Sequence, residues 1–413
     1  MIMRIFYLIL LFLVGFSSPK ALHAQLCATP GIMTYRVKAR QTDRAISFSS
    51  FYHYVYLDTV CPPKGTLLLY FVGSYDNPAK TTYFPKLAAG AGYHVIVLEY
   101  PNRVAAKSAC AKSARTRCYH DFRLEILEGK DYSQEVDIKP ADGIENRLSK
   151  LLLHLQKTFP NQGWEQFLTN QQSDWTKMVL AGHSQGGGHA IFISTLKPVL
   201  RAIGFAAPND YSEYFNQPAP WTGMPSVTPP TAQYVFLNLQ DDVVPFEQQY
   251  ASCKNLGLTT AGDSISVDRD TVNFTSSHIL YTQRTKAGLG GNHSLMIRDA
   301  NTPLDADDLP IFLPEWKYLL GIKDSLVNGS YRPIQSLIQL HPNPGSFYFK
   351  VMGPAPLTRS AHIDVWDLRG HLMYSGDAPT SGVKTGIWPS GVYIVSIRQG
   401  GRTSFVKWIK SSH

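Results

Sequence analysis

Apolar residues in this 413-residue chain gather into short unbroken runs separated by stretches of helical period. Thr66–Val72 (TLLLYFV) ends at Gly73, and His94–Glu99 (HVIVLE) stops at Pro101. Continuous runs of this length mark strands buried on both faces. Lys177–Ala181, Ala202–Ala206, Tyr234–Leu239 and His278–Thr282 repeat the pattern. Between them, Thr81–Gly92 and Gln185–Leu196 suit helices, and Gly143–Phe159 sets Ile144, Leu148, Leu151, Leu152 and Leu155 at helical spacing. Strands alternating with helices build βαβ units. The expected fold class is therefore α/β, a mostly parallel sheet flanked by helices.

The period changes after Ser325. Asn328-Gly329-Ser330-Tyr331-Arg332-Pro333 reads as a linker, placed at 326–335. Beyond it the helical period is lost. Short β runs follow at Phe347–Val351, His362–Trp366, His371–Tyr374, Val392–Ile397 and Thr403–Ile409, with turn signals at Asp367-Leu368-Arg369-Gly370 and Gln399-Gly400-Gly401-Arg402. Residues 336–413 are expected to form a separate all-β sandwich, and 25–325 the α/β domain.

The first 24 residues set the expected compartment. Arg4 precedes the apolar run Ile5–Phe16, and Ala21-Leu22-His23-Ala24 offers small residues before a cut ahead of Gln25. A basic start, a short apolar run and a small-residue site describe a secretory signal peptide at 1–24. The run is well short of the ~20 residues that cross a bilayer, and the mature chain is expected to have no membrane span. In an oxidising compartment the cysteines should pair. Cys110 and Cys118 are close in sequence and are the preferred bridge; the odd count leaves a thiol over. The net charge of +8 includes Arg4 and Lys20 of the leader. The remainder is spread along the chain with no basic cluster interleaved with aromatics, so no nucleic-acid partner is expected.

Candidate chemistry centres on Gly182-His183-Ser184-Gln185-Gly186, which follows the strand KMVLA and opens a small-residue helix. A serine on so sharp a strand-to-helix turn presents its hydroxyl beyond the sheet edge. That hydroxyl needs a base, and the base an orienting acid. Gln240-Asp241-Asp242-Val243-Val244-Pro245 follows the strand YVFLNL; Asp241 is the expected acid and Asp242 the fallback. Gly288-Leu289-Gly290-Gly291-Asn292-His293 is a glycine loop ending in the expected base, His293. The oxyanion formed in acyl transfer needs two donors. These are assigned to the backbone N–H groups of Gln185 and Ser74, the latter in the loop after the early strand. Tyr75, His183 and Trp221 are expected to line the substrate site, Trp221 from a proline-rich stretch that reads either as a cap or as plain loop packing. Asp263, Asp268 and Asp270 lack the spacing of a calcium loop. No zinc spacing, dinucleotide fingerprint or phosphate loop appears, so neither metal nor cofactor is expected.

The elbow GHSQGGGHA, with Gly163-Trp164 upstream and Asp241 and His293 downstream, resembles a bacterial branch of the α/β-hydrolase superfamily. The resemblance implies an eight-stranded type of sheet, a Ser-His-Asp triad, and hydrolysis of a small-molecule or polymer ester. A serine peptidase, or a non-catalytic adhesin or glycan-binding protein on the same scaffold, stays open. The final segment resembles the C-terminal sorting domain of type IX secretion substrates, through His341-Pro342-Asn343-Pro344, Val365-Trp366-Asp367-Leu368-Arg369-Gly370, Pro389-Ser390-Gly391-Val392-Tyr393-Ile394-Val395 and Val406-Lys407-Trp408-Ile409-Lys410. This implies the type IX machinery as a partner, passage through periplasm and outer membrane, and a secreted or cell-surface location.

Overall fold

The computed structural model describes residues 31–268, 274, 276–322, 339–352, 361–367, 371–379, 382–399 and 402–411. The leader at 1–24, the linker at 326–335 and Asp270 lie outside them. The chain divides into two compact units at Asn328/Gly329.

Among the described residues, the first unit is built on a nine-stranded sheet. In chain order its strands are β1 (Ile32–Val37), β2 (His53–Asp58), β3 (Leu67–Phe71), β4 (His94–Leu98), β5 (Met178–His183), β6 (Arg201–Phe205), β7 (Gln233–Asn238), β8 (Asp263–Ser266) and β9 (Ser277–Thr282). Their spatial order is β1-β2-β4-β3-β5-β6-β7-β9-β8. Pairing from β4 to β8 is parallel throughout, while β2 runs against the rest, antiparallel to both β1 and β4. Every residue of β3 and β4 is buried, which is why the two strands read as unbroken apolar runs. The principal helices are α1 (Tyr83–Gly90), α2 (Ala106–Cys110), α3 (Cys118–Glu128), α4 (Ile144–Thr158), α5 (Gln185–Leu196), α6 (Phe246–Asn255), α7 (Gly291–Ser294) and α8 (Leu313–Leu320). The five apolar residues anticipated on α4 are all fully buried. A disulfide joins Cys110 to Cys118 with Cα atoms 5.5 Å apart, tying α2 to the start of α3. Cys253 is a buried free thiol.

This sheet, with its serine turn between β5 and α5, is the α/β-hydrolase fold. Strand β8 extends the expected sheet by one. Its sequence, Asp263-Ser264-Ile265-Ser266, is mostly polar because it lies on the edge, where apolar side chains are not needed. The parallel strands end on one edge, so the loops after β3, β5, β6, β7 and β9 converge there.

The described residues of the second unit form two antiparallel sheets. One has the order 372–377, 362–367, 391–399, 402–410; the other joins 339–341, 348–352 and 383–384. Residues of both sheets, among them Phe349, Val365, Val395 and Trp408, share one apolar core. No helix among the described residues is long and apolar enough to cross a membrane.

Candidate active site

Strand β5 delivers the chain to Ser184 at full burial and α5 begins one residue later. Ser184 has φ 54° and ψ −120°, a conformation that costs a non-glycine residue of order 1–3 kcal/mol. The neighbouring glycines make the turn possible. A Cβ on Gly186 would stand 2.2 Å from the Phe71 carbonyl oxygen, and one on Gly188 would stand 2.1 Å from the Arg123 guanidinium. At Gly186 strand β3 and helix α5 approach too closely for any side chain, whereas at Gly188 the space is taken by the Arg123 side chain.

A cleft of about 470 Å³ opens over this turn, and Ser184, Gln185, Ser74, Tyr75, His183 and His293 all line it. His293 Nδ1 donates to Asp241 Oδ2 at 2.7 Å. The carboxylate is fixed in turn: its Oδ1 accepts the N–H groups of Val243 and Val244 at 2.9 and 2.8 Å, and Oδ2 also accepts Gln249 Nε2 at 2.8 Å. Burial alone would raise the Asp241 carboxyl, but the hydrogen bond and charge of His293, with the two backbone N–H groups, carry it below the usual range. Asp242 does a different job. Its two oxygens accept the backbone N–H groups of His293 at 3.0 Å and Gly290 at 2.7 Å, so it anchors the loop that carries the imidazole.

With Nδ1 committed to Asp241, His293 Nε2 is buried and has no hydrogen-bond partner among the described residues. Ser184 Oγ instead accepts Asn209 Nδ2 at 3.3 Å. The serine–histidine hydrogen bond is thus unformed in this structure, although both side chains line the same cleft. His183 donates Nε2–H to the His293 carbonyl at 3.1 Å, and the two rings lie 5.0 Å apart. Burial first, then the facing His293, holds the His183 imidazole down to about 3, so it is neutral.

Ser74 and Gln185 are linked through their side chains. Ser74 Oγ donates to Gln185 Oε1 at 2.8 Å, and the same oxygen accepts the Ala106 N–H at 2.9 Å. This fixes the loop after β3 against the first turn of α5. The N–H of Gln185, at the helix start, has no acceptor within its own helix.

Trp221 corrects the expectation. It does not line the cleft; it is buried, donates Nε1–H to Asp210 Oδ2 at 2.8 Å, and meets Phe192 edge-on at 5.2 Å. The proline-rich stretch turns this indole inward, where its N–H joins Arg123 on the Asp210 carboxylate. Asp263 lies on the edge strand, while Asp268 accepts Thr282 Oγ1 and the Gln283 N–H, both at 2.6 Å.

Two further contributors carry no motif. Asn209 holds the serine hydroxyl, and Arg123 forms a buried fork on Asp210 at 2.6 and 2.5 Å while donating to the Gln185 carbonyl at 3.1 Å. Asn209 and Asp210 are a polar pair just past a buried strand, the same signal that pointed to Asp241.

No family model and no curated protein matches the chain. Among solved structures, 65% of the chain is similar to 88% of esterase 2 of Thermogutta terrifontis, at 12% identity and a TM-score of 0.34. It is similar over 71% of its length to 99% of a dienelactone hydrolase structure from Klebsiella pneumoniae, at 9% identity and a TM-score of 0.36. The chain is also similar, over 18% of its length, to PorZ, a surface component of the type-IX secretion system of Porphyromonas gingivalis, at 19% identity and a TM-score of 0.16; the match spans 11% of that protein.

Proposed function

We propose that the protein is an exported serine hydrolase of carboxylic esters. The supporting observation is the state of His293, which lines the same cleft as Ser184: one ring nitrogen is committed to a fixed carboxylate, and the other has no partner among the described residues. Ser184 Oγ attacks the acyl carbon while its proton passes to His293 Nε2. The Asp241 carboxylate holds the imidazole in the required tautomer and stabilises the imidazolium. Negative charge on the former carbonyl oxygen is met by the N–H groups of Gln185 and Ser74. The proton then goes to the departing alcohol, and water, deprotonated by the same imidazole, releases the acid and restores the serine. Serine–histidine hydrogen bonds are often long before substrate binds, which accommodates the Asn209 contact seen at rest.

Export rests on the leader pattern and agrees with a disulfide at Cys110–Cys118. The second unit is proposed to be the sorting domain that addresses the chain to the type IX machinery and the cell surface. Ser184→Ala should abolish hydrolysis of p-nitrophenyl esters while leaving the melting temperature unchanged or higher. Retained turnover in that variant rejects the assignment, and faster cleavage of peptides than of esters by the unmodified protein makes it a peptidase.

A further inference from the structure

The cleft carries charge that ester hydrolysis does not use. Lys80, Lys107 and Arg298 line it, with the carboxylate of Asp76 among them. Asp76 is shared at long range, 3.6 Å from Lys80 Nζ and 3.5 Å from Arg298. Lys107 Nζ donates to the backbone carbonyl of Val243 at 3.0 Å. Arg298 Nε is buried and has no hydrogen-bond partner among the described residues.

The other lining charges, Arg123 and Asp210, neutralise one another in a fully buried pair. Asp241 and Asp242 are not part of the wall; they sit behind His293, spent on its ring and on loop N–H groups. Three cations therefore face the cleft against one acid. A concave site walled by protein concentrates such a field and draws oppositely charged solutes into it. The Arg298 Nε–H is unused among the described residues and its Nη2 is held only by a long 3.5 Å contact to Asp76; a guanidinium pairs well with a carboxylate. Placement reinforces this: Arg298 follows five residues after the base His293, and Asp76 closes the loop that carries Ser74.

We infer that the substrates are acidic esters, in which the acyl or alcohol part bears a carboxylate bound by Arg298 and attracted by Lys80 and Lys107. The inference rests on the esterase reading above and adds the substrate class. Its test compares two p-nitrophenyl esters of equal chain length, the pentanoate and the monoester of glutaric acid. At about 0.01 M salt kcat/KM should favour the acidic ester about tenfold. The preference should fade near about 1 M, where the screening length falls from about 30 to about 3 Å. Arg298→Gln should lower the acidic-to-neutral ratio about tenfold, chiefly through KM, and Arg298→Lys should restore part of it. Equal or slower turnover of the acidic ester by the unmodified protein at low salt, with activity still lost in Ser184→Ala, overturns charge selection and leaves the esterase reading standing. Turnover of neither ester overturns both.

Discussion

Ser184 keeps a positive φ because its surroundings leave no room to relax. Phe71 blocks Gly186 from behind, and the backbone of Ser184 donates its N–H to the Phe205 carbonyl at 2.8 Å. The neighbouring aspartates differ in what they hold, and this separates their expected phenotypes. Asp241→Asn replaces the acceptor that fixes the His293 tautomer, so kcat on a p-nitrophenyl ester should fall about 10³- to 10⁴-fold. Asp242→Asn removes one side of a backbone anchor and should lower kcat far less, while reducing the melting temperature. Steady-state kinetics on the two variants check the division, and equal losses contradict it. The meeting of Ser184, Asp241 and His293 at one sheet edge was legible because each follows the carboxyl end of a buried strand. Asn209 was not, since an asparagine after a strand serves turns as readily as sites. Trp221 misled because an aromatic in a long loop looks like a substrate wall until its buried partner Asp210 is known.

Elements were legible where burial is complete on both faces. Strands β3, β4, β5, β6, β7 and β9 and helices α1, α4 and α5 match their apolar patterns, with boundaries differing by a residue or two. Strands β1 and β2 escaped notice because IMTYRV and HYVYLD interleave tyrosine with polar residues; β1 is the partly exposed edge, while β2 beside it is buried at all but one position despite its His53 and Asp58. The sequence presents the glycine run of α5 as the start of a small-residue helix, yet its last member answers to another element: Gly188 leaves space for Arg123 of α3, whose guanidinium carries Asp210 and so the indole of Trp221. No local pattern in α5 reveals a partner more than sixty positions earlier in the chain. Such a buried fork is held by good geometry, and breaking it on one side leaves an uncompensated charge.

At the scale of the molecule, stability should depend on pH through buried imidazoles. His53 and His183 are held down to about 3 and His189 well below its ordinary range, burial being the largest cause in each; the charges of Arg147, His293 and Arg123 respectively add to it. Above about pH 6.5 these groups are neutral in folded and unfolded chains alike. Below it the unfolded chain takes up protons that the folded one refuses, so stability falls with pH, by up to about 1.4 kcal/mol per unit for each histidine. The melting temperature should therefore drop from about pH 8 to about pH 5; a flat or rising profile contradicts the neutral assignment. The chain's division near Asn328 lies close to the change of period after Ser325, where helical spacing gives way to short β runs.

A fluorophosphonate probe followed by peptide mass spectrometry asks whether this turn holds an activated nucleophile. The folded protein should gain one phosphonyl group, on the peptide containing Ser184, and His293→Ala should take up little or none. Modification at any other residue, or an unmodified Ser184 in folded protein, would mean that the serine, the imidazole and the carboxylate do not act together.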